Sequence, residues 1–89
     1  MVNNEILKSY AFVARSPNRR KVLQELSKSP QIPSDLSKKL NLNINHVSRA
    51  LAELRRNDLV RCVNPEDKKG RVYELSEKGK EVCQRFRYS

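Results

Sequence analysis

The apolar residues of this chain change period at one point, and that change restricts the fold more than any other feature. Ile44, Val47, Leu51 and Leu54 follow one another at spacings of 3, 4 and 3. Such spacing places all four on one face of a helix. Asn43 stands before them as a good N-cap, and Asn57-Asp58 closes the segment. The helical period then stops. Leu59-Val60-Arg61-Cys62-Val63 is β-branched and apolar, residues 64–70 are charged and end in glycine, and Arg71-Val72-Tyr73-Glu74-Leu75 has strand composition again. A patterned helix running directly into a hairpin of this kind excludes a plain helical bundle.

The helical period holds on both sides of that stretch. Residues 4–14 carry Ile6, Leu7, Tyr10, Ala11 and Val13. Ser16-Pro17 interrupts them, with Ser16 a cap and Pro17 at a first helical position, where a missing N–H costs nothing. Residues 16–27 bury Val22, Leu23 and Leu26. Pro30 stops that helix. Pro33 opens a short one through Leu40, with Leu36 and Leu40 inward and Asp35 in the first turn, where the helix dipole favours a negative charge. Asn41 suits the left-handed conformation of a sharp helix exit. Ser76 caps a final helix over 77–88, with Val82, Cys83 and Phe86 apolar. The expected fold is mainly α with one β-hairpin, in a single domain over residues 1–89.

Two helices joined by Asn41-Leu42-Asn43 read as a helix-turn-helix, and the hairpin makes it the winged form. Charge agrees. Nineteen Lys and Arg against ten Asp and Glu give a net charge of +9, which favours an anionic partner. On the long helix, Arg49 points away from the core stripe, flanked by Asn45, His46, Glu53 and Arg56. Arg suits guanine, Asn suits adenine, and His donates to bases or phosphates. Asn43 and Ser48 complete this candidate surface. Arg55 lies nearer the core edge and is a poorer candidate. Lys38 and Lys39 on the short helix are candidate backbone contacts, as are Lys68, Lys69 and Arg71 on the wing. The wing is not uniformly basic, since Arg61, Lys68, Lys69 and Arg71 are matched by Asp58, Glu66, Asp67 and Glu74. Arg19, Arg20 and Lys21 are either flanking phosphate contacts or solvated charges, or they pair with Glu25.

Several classes are disfavoured. There is one histidine, no Gly-rich phosphate loop and no partnered carboxylate pair, so an enzyme is not expected. Cys62 and Cys83 form no CxxC and read as core or interface fillers; no metal and no cofactor is expected. No run is apolar enough to span a bilayer, and Met1-Val2-Asn3-Asn4-Glu5 lacks a signal-peptide pattern, so the expectation is a cytoplasmic chain without membrane contact. No small-molecule effector is evident. The apolar residues of the two terminal helices exceed what the winged core can bury. Ile6, Leu7, Tyr10, Val82 and Phe86, with Tyr88 added, are therefore expected to form a homodimer interface. The competing expectation is that residues 4–14 cover the chain's own core.

Ser16-Pro17-Asn18-Arg19-Arg20-Lys21-Val22-Leu23 resembles the opening of ArsR-like winged-helix repressors. Pro33 to Leu40 is similar to their first motif helix, His46-Val47-Ser48-Arg49-Ala50-Leu51 to their recognition helix, and Gly70 to Ser76 to their returning wing strand. The likeness spans residues 16 to about 83 and is nearest to short archaeal regulators of the ArsR-like and MarR-like superfamily. It implies a dimeric, sequence-specific regulator of transcription on double-stranded DNA, most often a repressor. The cysteine-rich metal-sensing motif of some members is absent. Asp58 stands where these families usually have Gly, and Ile32 where a capping Ser or Thr is common. The alternatives are a winged-helix module that binds protein and a non-specific architectural DNA binder.

Overall fold

The computed structural model describes residues 4–88; the reading of Met1 to Asn3 and the side chain of Tyr88 fall outside the described residues. In chain order the elements are α1 (Asn4–Ala14), α2 (Pro17–Leu26), α3 (Pro33–Leu40), α4 (Ile44–Arg56), β1 (Val60–Cys62), β2 (Tyr73–Leu75) and α5 (Glu77–Tyr88). This is the winged helix-turn-helix arrangement that the change of period predicts.

The helix ends form for the expected local reasons. Ser16 Oγ accepts from Arg19 N at 3.3 Å, and Pro17 follows. Asn43 Oδ1 accepts from Asn45 N at 2.8 Å, which caps α4. Ser76 Oγ accepts from Gly79 N at 3.0 Å and caps α5. Ile32 makes no side-chain cap, so α3 starts on Pro33 alone. Asn41 takes the left-handed conformation at φ 53° and ψ 46°, turning the chain between α3 and α4.

Asp58 also has a positive φ, 59°. The chain thus keeps the turn that glycine would make without strain. Asp58→Gly is expected to raise stability by roughly 0.5–1 kcal/mol, because it removes that strain and leaves the backbone carbonyl that Ser76 Oγ donates to. Thermal unfolding should show a midpoint a few degrees higher; a lower midpoint would contradict the assigned strain.

The strands are shorter than the composition suggests. Leu59 N donates back to Leu54 O at 2.9 Å, so residue 59 belongs to the helix exit rather than to the ladder. β1 and β2 pair antiparallel, with Val60 opposite Leu75, Arg61 opposite Glu74 and Cys62 opposite Tyr73. Gln31 adds a single bridge on the far side of β2, exchanging both backbone hydrogen bonds with Tyr73 at 2.9 and 3.0 Å.

The core gathers Val22, Leu23, Leu26, Leu36, Val47, Ala50, Leu51, Leu54, Leu59, Val60 and Leu75. Ile44 departs from the expected apolar face of α4, being 43% exposed. It sits on the first turn of α4, and Ala50 is buried instead.

The terminal helices pack on each other. α1 packs on α5 within the chain, with the Tyr10 and Phe86 rings stacked at 4.5 Å and Lys78 Nζ paired with Glu5 at 3.0 Å. Ile6 is 5% exposed, Val82 fully buried and Phe86 8% exposed. These three side chains are buried in the chain's own core. Of the expected set, Leu7 at 40% exposure and half-buried Tyr10 retain accessible surface.

Candidate nucleic-acid interface

α4 owes its orientation to its buried stripe. Val47, Ala50, Leu51 and Leu54 face α2 and α3, which forces the opposite side into solvent. Asn45, His46, Ser48, Arg49 and Arg56 are all exposed there. Among the described residues, none of these side chains has an ion pair or a side-chain hydrogen bond, so each polar head is available to a ligand. Asn43 is exposed as well, but its carboxamide oxygen is committed to the α4 cap.

One flank of this face is closed by an ion pair that the sequence pattern does not reveal. Arg19 Nη2 donates to Glu53 Oε2, and Arg19 Nη1 donates to Phe12 O at 2.9 Å. The guanidinium also lies 3.8 Å from the centre of the Phe12 ring. Arg19 thus joins α1, α2 and α4, and its partner is Glu53 rather than Glu25. Glu53 would otherwise repel a polyanion beside Arg49; the pairing offsets its charge. Arg20 is engaged too, 4.9 Å above the Phe86 ring.

Lys39 is exposed but its ammonium is engaged. Its Nζ donates to Oε1 of buried Gln31 at 3.0 Å, while Gln31 Nε2 donates to Glu25 O and Glu25 Oε2. Burial pushes the Glu25 carboxyl up. Hydrogen bonds from Lys28 and Gln31, with the charges of Lys28 and Lys39, outweigh that and hold it below the ordinary carboxylate range. The ionised form is therefore stabilised by folding, and this contribution fades as pH falls through the lowered value. Lys39 is thus part of the α2–α3 connection, whereas Lys38 is exposed and has no ion pair among the described residues.

The wing tip is organised by Asn64. Its Nδ2 donates to Asp67 Oδ2 at 2.8 Å and to Gly70 O at 3.2 Å, and its Oδ1 accepts from Val72 N at 2.7 Å. Gly70 takes a φ of 67°, which suits glycine. Lys68 and Lys69 are exposed on this tip. Arg71 is half-buried, with Nε donating to Asp67 O at 2.6 Å, so the hairpin holds its stem.

Between α4 and the wing lies a cleft of about 440 Å³ lined by Ser48, Leu51, Ala52, Arg55, Arg56 and Tyr73. Arg55 is exposed and lines this cleft beside buried Leu51. The signal was present as the helical series Ser48, Leu51, Ala52, Arg55, but the strand that makes the second wall is invisible to a helix-only argument. Among the described residues no group of histidine, cysteine or acidic side chains could hold a metal ion, and no helix is long and apolar enough to cross a membrane.

The family profile of the HVO_A0261 N-terminal domain matches residues 7–88. The chain belongs to that family. Among curated proteins, no relative matches this HVO_A0261-type domain. Solved structures similar to it include a MarR family transcription regulator, with TM-score 0.76, 24% identity, and 93% of this chain against 56% of that one covered. The adhesin competence repressor of Streptococcus pyogenes superposes with TM-score 0.74 and 23% identity, over 82% of this chain and 54% of its own. Streptococcus pneumoniae FabT, solved in complex with DNA, gives TM-score 0.71 and 23% identity over 82% and 52%. The HVO_A0261-type domain spans about half the length of these proteins, and at such identities the likeness is one of fold.

Proposed function

We propose that this domain binds double-stranded DNA and regulates transcription, with α4 in the major groove and the wing along the backbone. The observation that carries the reading is the face of α4 opposite its core, where Asn45, His46 and Arg49 are exposed with unengaged heads. Arg49 and Asn45 have the hydrogen-bonding geometry to read guanine and adenine edges, and the first turn of a recognition helix reaches deepest. Lys38, Lys68, Lys69 and Arg71 supply phosphate contacts, which position the protein without carrying sequence information. The fold shared with a MarR family transcription regulator and with FabT, solved in complex with DNA, supports the same reading. The order of motif segments also supports a relation to ArsR-like regulators of the short archaeal type.

The domain acts as a homodimer in this reading, since one α4 specifies only a few base pairs and two copies would read sites about 34 Å apart. Repression by occupying a promoter, without a dedicated effector and in the cytoplasm, is the simplest mode for such a protein. Duplex affinity should fall steeply with salt. If about six phosphates are contacted per dimer, the log–log slope is near −5. Titration of a labelled duplex from low to moderate salt measures it, and a flat response would contradict charge-driven binding.

A further inference from the structure

The cleft between α4 and β2 has the makings of an anion site beside the reading face. Ser48, Leu51, Ala52 and Arg55 recur at helical spacing and form one wall, with Arg56 next to them. Tyr73 forms the other wall and is held firmly. Its backbone is paired on both edges, to Cys62 in β1 and to Gln31, and its half-buried ring packs on the core. No carboxylate lines the cleft. The guanidinium groups of Arg55 and Arg56 and the hydroxyls of Ser48 and Tyr73 have no hydrogen bond or ion pair among the described residues. Two free guanidinium groups at one opening, without an acid to neutralise them, are stable only because water solvates them, and they favour an anion that can take several donors at once.

The two flanks of α4 therefore differ. On the α2 side Glu53 is capped by Arg19 and offers no net positive charge. On the wing side two arginines stand unopposed. A polyanion lying against Arg49 would be drawn toward the wing side, with one of its phosphates over the cleft mouth. Leu51 and Ala52 supply the apolar part of the lining.

We propose that this cleft is a phosphodiester clamp, in which Arg55, with Ser48 and Tyr73, grips the DNA strand that passes between the recognition helix and the wing. The assignment rests on the duplex-binding reading above and adds a residue and a strand to it. Arg55 reads no base; it fixes register, as phosphate contacts do.

The test compares the wild-type domain with Arg55→Gln and Arg55→Lys on two labelled duplexes, one selected for tight binding and one scrambled. Arg55→Gln should weaken both duplexes by the same factor, about tenfold. It should also make the salt slope shallower by about one for each copy bound. Arg55→Lys, which keeps the charge, should restore most of the slope. Arg55 is exposed, so both variants should fold, and matching thermal midpoints would verify it. Wild-type binding with no change in Arg55→Gln overturns the clamp alone. A loss confined to the selected duplex overturns it as well, because that is base reading. Equal loss of slope in the lysine and glutamine variants would show a packing role and would also overturn it. Failure of the wild type to bind either duplex overturns the parent reading, and is seen before any variant is compared.

Discussion

Gly79→Ala is expected to destabilise the domain by about 3 kcal/mol, at the upper end for overpacking. A Cβ at this position would lie 2.0 Å from the carbonyl oxygen of Leu59 and 3.0 Å from its carbonyl carbon. Both are backbone atoms and cannot swing aside as a side-chain tip would. Nor can the backbone retreat. Leu59 is fully buried, its N–H is bonded to Leu54 O, and its carbonyl accepts from Ser76 N at 3.0 Å. Relief would have to come from α5, which carries Val82 and Phe86 into the core and stacks on α1. The same glycine therefore lets the wing base, the end of α4 and α5 meet. For a domain this small, the loss corresponds to a midpoint lower by on the order of 15 °C. Thermal unfolding followed by circular dichroism checks it; a midpoint within a few degrees of wild type would mean that α5 is not seated on Leu59.

Arg49→Ala is expected to cost roughly 1–3 kcal/mol on a preferred DNA site and to relax the preference at the base pair it contacts. Arg49 is exposed at the centre of the outward face of α4 and has no partner to satisfy within the chain, so the loss falls on binding and leaves the fold intact. Lys69→Ala provides the contrast. Lys69 is on the exposed wing tip, and its removal should weaken selected and scrambled duplexes by the same factor, since phosphates are common to both. Affinity measured on matched duplex pairs separates the two. Equal losses on both duplexes for Arg49→Ala would contradict a reading role.

The order of elements was legible because it depends on local chemistry. Ser16, Asn43 and Ser76 cap the helices that follow them, and Asn41 turns left-handed where the motif must bend. What escaped depends on pairs distant in sequence. Glu53 looks like an ordinary solvent-facing charge until Arg19 is brought to it from another helix. Lys39 looks free until the Gln31 bridge to Tyr73 sets a buried carboxamide beside it. Arg55 looks marginal because only the wing strand turns its edge of α4 into a cleft. The terminal helices depend on a distant pair as well. The apolar residues of α1 exceed what the winged core needs, but α5 has a matching excess, and the two surpluses cover each other within one chain. Asp58 shows the converse, a backbone conformation retained although the residue that favours it is absent.

Whether the exposed face of α4 reads sequence in duplex DNA is decided by selection of bound molecules from a random duplex pool at physiological salt. A short motif should be enriched, recovered as an inverted repeat with half-sites about one helical turn apart. The enrichment should be lost when Arg49→Ala is used in the selection. Recovery of a pool indistinguishable from the input, with the wild-type domain folded and in excess, would contradict sequence reading by this face.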